Sequence, residues 1–192
     1  MEGDTHADTT CLGSGALELC DHCCHVGVQT YDQNLGVRTH RTIGGAVKFS
    51  HPFTGRHYHM IWYQCIDMTK SLTHHLFCLN QVRAAGWTVN ECPRMYCKDP
   101  NEESHSIVCE DEFGEKVIVP LFLKGVTSYF NTEPLARDKF EAHDCPCIIM
   151  TNKDLTWDPN SDVFENQENN MIDHQGEVLP RNVAIDEHQL CQ

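Results

Sequence analysis

The sequence predicts a mainly β fold: a small closed or partly closed barrel from about Gly3 to Val89, further strands to about Thr151, and a flexible acidic tail. Three observations carry this expectation. Short segments of alternating apolar and polar residues recur along the chain, Gly and Pro punctuate them, and one short segment alone has helix-like apolar spacing. With 192 residues, 40% of them hydrophobic and 22% charged, the chain is long enough for one domain with a proper core plus extra segments. The expected divisions are 1–97, 98–157 and 158–192.

Ala16 to Leu19 and Val26 to Tyr31 alternate as half-buried strands do. Gly44-Gly45 reads as a turn, Ala46 to Phe49 alternates, Pro52-Phe53-Thr54-Gly55 reads as a second turn, and Tyr58 to Tyr63 returns as a strand. Leu72, Leu76, Leu79 and Val82 recur at helical spacing, so a helix is expected from Leu72 to Ala85 with Gly86 as its C′ residue. Trp87-Thr88-Val89 opens another strand. The polar stretch from Asp99 to Glu115 contains strand-like His105 to Cys109. Val117 to Leu123 is the most apolar run, with Pro120 marking an edge or bend, and Gly125 to Phe130 continues it. Cys145 to Thr151 is the last strand candidate.

From Asp158 onward eight acidic residues face a single Arg181 with few large apolar residues among them. Such a composition buries too little surface to offset chain entropy, so a disordered tail or linker is expected. The formal net charge is −14, and no Lys/Arg cluster is present to track phosphates, which disfavours direct nucleic-acid binding. No basic start followed by an apolar run is visible, and no apolar stretch approaches the roughly 20 residues that span a bilayer. An intracellular, cytoplasmic protein with reduced thiols and no membrane association is the expectation.

The stretch Gly3-Asp4-Thr5-His6-Ala7-Asp8-Thr9-Thr10-Cys11 is chemically the most pointed. Asp and Thr side chains bond backbone N–H groups one to three residues away, so this pattern makes a turn pinned from within that aims one carboxylate, Asp4, outward. The stretch resembles the active-site turn of retropepsin-like aspartic proteases, the Asp-Thr/Ser-Gly-Ala motif. Leu76 to Val89 is similar to the segment that closes copia-type long-terminal-repeat retrotransposon proteases. Ile118-Val119-Pro120-Leu121, Lys124 to Phe130 and Thr156-Trp157-Asp158-Pro159 extend the resemblance to about Glu168.

The resemblance implies a small retropepsin-like β-barrel and an aspartic endopeptidase acting as a homodimer on polypeptide, its own polyprotein included, with no cofactor. Asp4 would be catalytic, Thr5 would lock two turns together, and Ala7 would pass close behind the carboxylates. His6, Asp8 and Thr9 would support the turn, and Leu76, Phe77 and Leu79 of a helix beneath it would be core, with Asn80 and Gln81 facing polar neighbours. Gly44-Gly45, about forty residues after Asp4, fits the place of the flap hairpin that covers substrate, or is an ordinary surface turn. His6 departs from the family's Gly, which is there because two turns pack backbone to backbone. Its Cβ is taken up by a wider turn or keeps the pair of loops from forming. Met1 to Gly3 are too short for the apolar strand that normally leads into such a turn.

Two alternatives stay open: an inactive retropepsin-like remnant, and a zinc-stabilised interaction module. The second would use Cys20, His22, Cys23 and His25, since two thiols at C-x2-C spacing with a neighbouring His supply three ligands to tetrahedral zinc. A fourth would come from His51, His57, His59, Cys92 or Cys97, none of which forms a recognised pairing with the first cluster, and reduced thiols in a loop or strand end explain the knot equally.

Overall fold

The computed structural model describes residues 1–4, 7–29, 34, 36–154 and 156–179, without the side chain of Asp4. The chain divides into a unit at Met1–Trp157 and a second at Asp158–Gln192.

The first unit is built on strands β1 (Glu2–Asp4), β2 (Cys11–Leu12), β3 (Leu17–Gln29), β4 (Val37–Ser50), β5 (His57–Asp67) and β6 (Leu76–Cys78), followed by helix α1 (Leu79–Ala84). Then come β7 (Thr88–Asn90), β8 (Ser106–Glu110), β9 (Lys116–Pro120), β10 (Phe122–Lys124), β11 (Thr127–Tyr129), helix α2 (Arg137–Glu141) and β12 (Cys147–Ile149). Nine strands form one mixed sheet in the order β10-β11-β1-β6-β2-β5-β4-β3, with β12 also paired to β5. Strands β7, β8 and β9 form a separate sheet. The fold is mainly β, but the large sheet is an open path from β10 to β3, and no closed barrel forms among the described residues.

Strand β5 organises this sheet. Along one edge it pairs with β4 in an antiparallel hairpin, while β12 and β2 run parallel to its first and last thirds. Both faces of the hairpin are covered. Ile43, Val47, Phe49, Tyr58, Met60 and Trp62 enter the main core, whereas Ala46 and Ile61 pack with Leu135 and Cys147, against which Phe140 of α2 rests. The small sheet contributes Val89, Ile107, Val117 and Val119 to the main core. Burial on both faces explains why β5 reads as a near-continuous apolar run. Five cysteines, Cys11, Cys65, Cys78, Cys109 and Cys147, are buried and act as small hydrophobes.

Several expectations are corrected. Gly44-Gly45 is not a turn but lies buried inside β4, next to register shifts on both sides. A Cβ at Gly44 would come within 2.7 Å of Cys20 Sγ, and one at Gly45 within 2.5 Å of Leu12 Cδ1, so the pair serves close strand packing rather than chain reversal. The reversal before β5 is at His51–Arg56, as Pro52 to Gly55 predicts: His51 N donates to Arg56 O, and His51 Nδ1 accepts from Phe53 N and Thr54 N.

The two strands expected on either side of the Cys/His knot are one strand, β3, running through it with bulges between Glu18 and Cys20 and between Asp21 and His25. Thr30 and Tyr31 lie outside the described residues. The helix expected from Leu72 is less than half as long, because Leu76, Phe77 and Cys78 are taken up as a strand by β1 and only Leu79–Ala84 is helical. Gly86, at φ +94°, closes it as the C′ reading requires. That single helix is joined by α2 and, in the second unit, by α3 (Asp162–Asn169). The region expected to be disordered thus contains an eight-residue helix. Ser161 Oγ caps it by accepting from Val163 N, and Asp162 and Glu165 in its first turn suit the helix dipole. No described helix is long and apolar enough to cross a membrane.

Aromatic side chains form a continuous chain through the main core. Tyr58 stacks on Phe49, Phe49 meets Phe130 edge-on at 5.9 Å, Phe130 meets Phe77 at 5.4 Å, and Phe77 meets Trp62 at 6.2 Å. Phe77 is fully buried in the middle of this chain. Phe77→Ala is expected to lower unfolding free energy by about 3 to 5 kcal/mol in urea titrations, more than truncation of an exposed aromatic such as Phe53.

Candidate functional site

Strand β1 is three residues long and is held on both sides. Glu2, Gly3 and Asp4 run parallel to Leu76, Phe77 and Cys78, while Glu2 pairs antiparallel with Tyr129 of β11. Glu2 N donates to His75 O, and Phe130 N donates to Met1 O. The turn leaves β1 at Asp4 and returns in β2 at Cys11, whose antiparallel partner is Leu76. Strand β6 therefore lies between the two arms of the turn and hydrogen-bonds to both.

Three side chains brace the returning arm. Thr10 is fully buried; its Oγ1 accepts from Cys78 N at 3.1 Å and its N–H donates to Gln81 Oε1 at 3.0 Å. Gln81, buried on α1, donates from Nε2 to Gln64 O at 3.2 Å, and its own N–H is accepted by Cys78 Sγ at the start of the helix. Trp157 donates from Nε1 to Asp8 O at 2.9 Å and to Thr9 Oγ1 at 3.2 Å. The turn is thus tied to the helix beneath it and to a residue about 150 positions away.

Just past the turn, Gly13 N donates to His75 Nδ1 at 2.9 Å. A Cβ at Gly13 would lie 2.1 Å from His74 O, so no larger residue fits this approach. Burial and the neighbouring charges of the chain start and His74 push the His75 pKa down to about 4 from its ordinary 6.5. His75 is therefore neutral in the fold, as its acceptor role requires.

Ala7 is half-buried, Asp8 is exposed, and Thr9 is half-buried. Asp4 ends β1 through its backbone; its side chain, Thr5 and His6 lie outside the described residues. Phe77 and Leu79 are core residues as expected, Leu76 is half-buried, Asn80 is exposed and Gln81 faces polar partners. A groove of about 690 Å³ lies beside the arm that carries Asp4, with Gly3, Leu76, Cys92, Pro93, Val126 and Ser128 in its lining.

Gly44 and Gly45 do not cover this turn as a hairpin tip. The hairpin that projects is formed by β3 and β4: β5 accompanies β4 only as far as the Thr42–Ile66 pair, whereas β3 pairs with β4 out to Gln29–Val37. Residues 25–29 and 37–41 form a two-stranded ribbon beyond the sheet. At its base Arg41 binds three carboxylates: Glu18 at 3.0 Å, Asp21 at 2.9 Å and Asp67 at 2.6 Å.

The Cys/His knot on β3 does not converge into a ligand set. Cys20 Sγ and His22 Nε2 are 3.9 Å apart, and His22 Nε2 accepts from Gln64 N. Among the described residues, the groups whose ligand atoms lie within 4.8 Å of one another are His59, Asp144, Cys145 and Glu112, His143, Cys147. The residues that sequence reasoning missed are Thr10 and Trp157. Trp157 had no local signal for its role, since the indole acts on a turn at the other end of the unit.

Two outcomes test this description. Gln81→Leu keeps the volume but leaves Thr10 N–H and Gln64 C=O without their side-chain partner, and should cost about 2 to 4 kcal/mol of stability in urea titrations. For His75 the folded pKa lies below the unfolded one, so its contribution is complete above pH 6.5 and is lost as pH falls toward 4. It amounts to on the order of 3 kcal/mol. Stability measured from pH 7 to 4 should fall in the wild type, and this part of the fall should vanish in His75→Gln, whose side-chain oxygen can take the Gly13 N–H.

No family model, curated protein or solved structure matches the chain.

Proposed function

We propose that the chain is an aspartic-type endopeptidase domain of the retropepsin-like kind, acting as a homodimer in which Asp4 meets the Asp4 of a second copy. The observation that carries this reading is the setting of the turn: β6 lies between its two arms, and Gln81 of the following helix holds Thr10. A catalytic carboxylate needs a backbone that cannot drift, and this turn is held on both arms, from below by α1 and from the side by Trp157. The β3–β4 ribbon, standing past the end of β5, takes the part of the covering hairpin in place of Gly44-Gly45.

In such a dimer the two carboxylates share one proton, because two like charges a few ångströms apart do not both ionise. The ionised Asp4 takes a proton from water, which attacks the peptide carbonyl carbon, while the protonated Asp4 of the other copy donates to the carbonyl oxygen. The substrate is an extended apolar peptide segment, with sites in its own polyprotein as the natural candidates.

Cleavage of such peptides should peak at mildly acidic pH, where the pair holds one proton. Asp4→Asn should lower the rate by about 10²- to 10⁴-fold or more without changing the melting temperature. Because protonation of His75 erodes the fold as pH falls toward 4, the folded fraction must be recorded beside the rate at each pH. His6→Gly should raise the rate if the Cβ hinders pairing of the turns. A dimer by sedimentation that cleaves no peptide with either residue at position 6 would leave the fold without the chemistry.

A further inference from the structure

We propose that His59, Asp144 and Cys145 bind a zinc ion that fastens the loop between α2 and β12 onto β5. This site is independent of the Asp4 turn. His59 stands on β5 and is 1% exposed, with Phe140 of α2 against its ring at 5.4 Å. The loop crosses directly over it, since His59 N donates to Pro146 O at 2.9 Å and Cys147 is the register partner of His59. Asp144 and Cys145 immediately precede that crossing.

The geometry is already close to that of a metal centre. His59 Nε2 and Asp144 Oδ1 are 3.4 Å apart, and the ligand atoms of all three residues lie within 4.8 Å of one another. Bond lengths of about 2.0 to 2.3 Å place the ligands of a tetrahedral zinc ion roughly 3.3 to 3.7 Å apart, which the His59–Asp144 pair already matches. His59 Nε2 is the nitrogen turned toward the site, and the group it meets there is the half-exposed Asp144 carboxylate.

Thiolate, imidazole and carboxylate together favour zinc over calcium or magnesium, which take oxygen ligands. Three protein ligands leave one position for water. Binding releases the Cys145 thiol proton to solvent. The neighbouring group of Glu112, His143 and Cys147 is less suited. Glu112 Oε1 already accepts from Cys147 N at 2.9 Å, and Glu112 N donates to Cys147 O, so that carboxylate is holding a strand start.

Cobalt(II), which reports thiolate ligation by a near-ultraviolet charge-transfer band, is the probe for the chelator-treated full chain, with zinc as competitor. The expected result is one equivalent of cobalt with a thiolate band, displaced by zinc, and a zinc-dependent rise in melting temperature. The band should be absent in Cys145→Ser, and Asp144→Asn should weaken binding at least about tenfold, the loss typical even of outer-shell partners. Cys147→Ser and the double variant Cys20→Ser with Cys23→Ser should retain the band. These positions spare buried His59, whose replacement threatens the fold. No band in the wild type, a band that survives in Cys145→Ser, or one lost in either control variant while the variant stays folded overturns the proposal.

Discussion

Strand β6 enters the sheet between the two arms of a turn that begins at Asp4 and ends at Cys11, pairing parallel with one and antiparallel with the other. Such a strand saturates the inward backbone groups of both arms at once, so neither arm moves without breaking a ladder. The same three residues anchor the core, because Phe77 lies between Trp62 and Phe130. They also start α1, because Cys78 is the residue before the helix and its sulfur accepts from Gln81 N. Turn, core and helix therefore share one short segment.

Around that segment polar satisfaction and packing reinforce each other. Thr10 and Gln81 are buried polar residues whose hydrogen bonds are completed by each other, by Cys78 and by Gln64. A buried network of this kind is stabilising only when complete, which makes these positions intolerant of single substitutions. The β3–β4 ribbon is built in the opposite way. Its outer residues are largely exposed, and at its base Arg41 is spread over the carboxylates of Glu18, Asp21 and Asp67. Exposed pairs of this kind hold position weakly, in contrast to the buried hydrogen bonds that hold Thr10 and Gln81.

The errors of sequence reasoning have specific causes. Gly44-Gly45 carries the local signature of a turn, yet both residues are mid-strand because Leu12 and Cys20 leave no room for a Cβ there. Absence of a side chain meets two different needs, and only the neighbours distinguish them. Leu72 to Val82 has helical spacing, but the same residues at positions 76 to 78 supply a buried strand, and pairing with β1 outweighs local propensity. The Cys/His knot has the spacing of a metal motif, yet on a bulged strand no three of its side chains converge. His59 meets the adjacent Asp144 and Cys145 from a strand far away in sequence, so no local spacing joins it to them.

Local chemistry was enough to determine a mainly β chain, the reversal at Pro52 to Gly55 and the end of α1 at Gly86, because each depends on residues a few positions apart. The tertiary structure alone decided that the sheet stays open, that β6 passes between the arms of the turn, and that Trp157 reaches Asp8 and Thr9. Those outcomes depend on which distant backbone groups satisfy one another and which side chains fill the space left between strands, and neither is encoded in any short window of sequence.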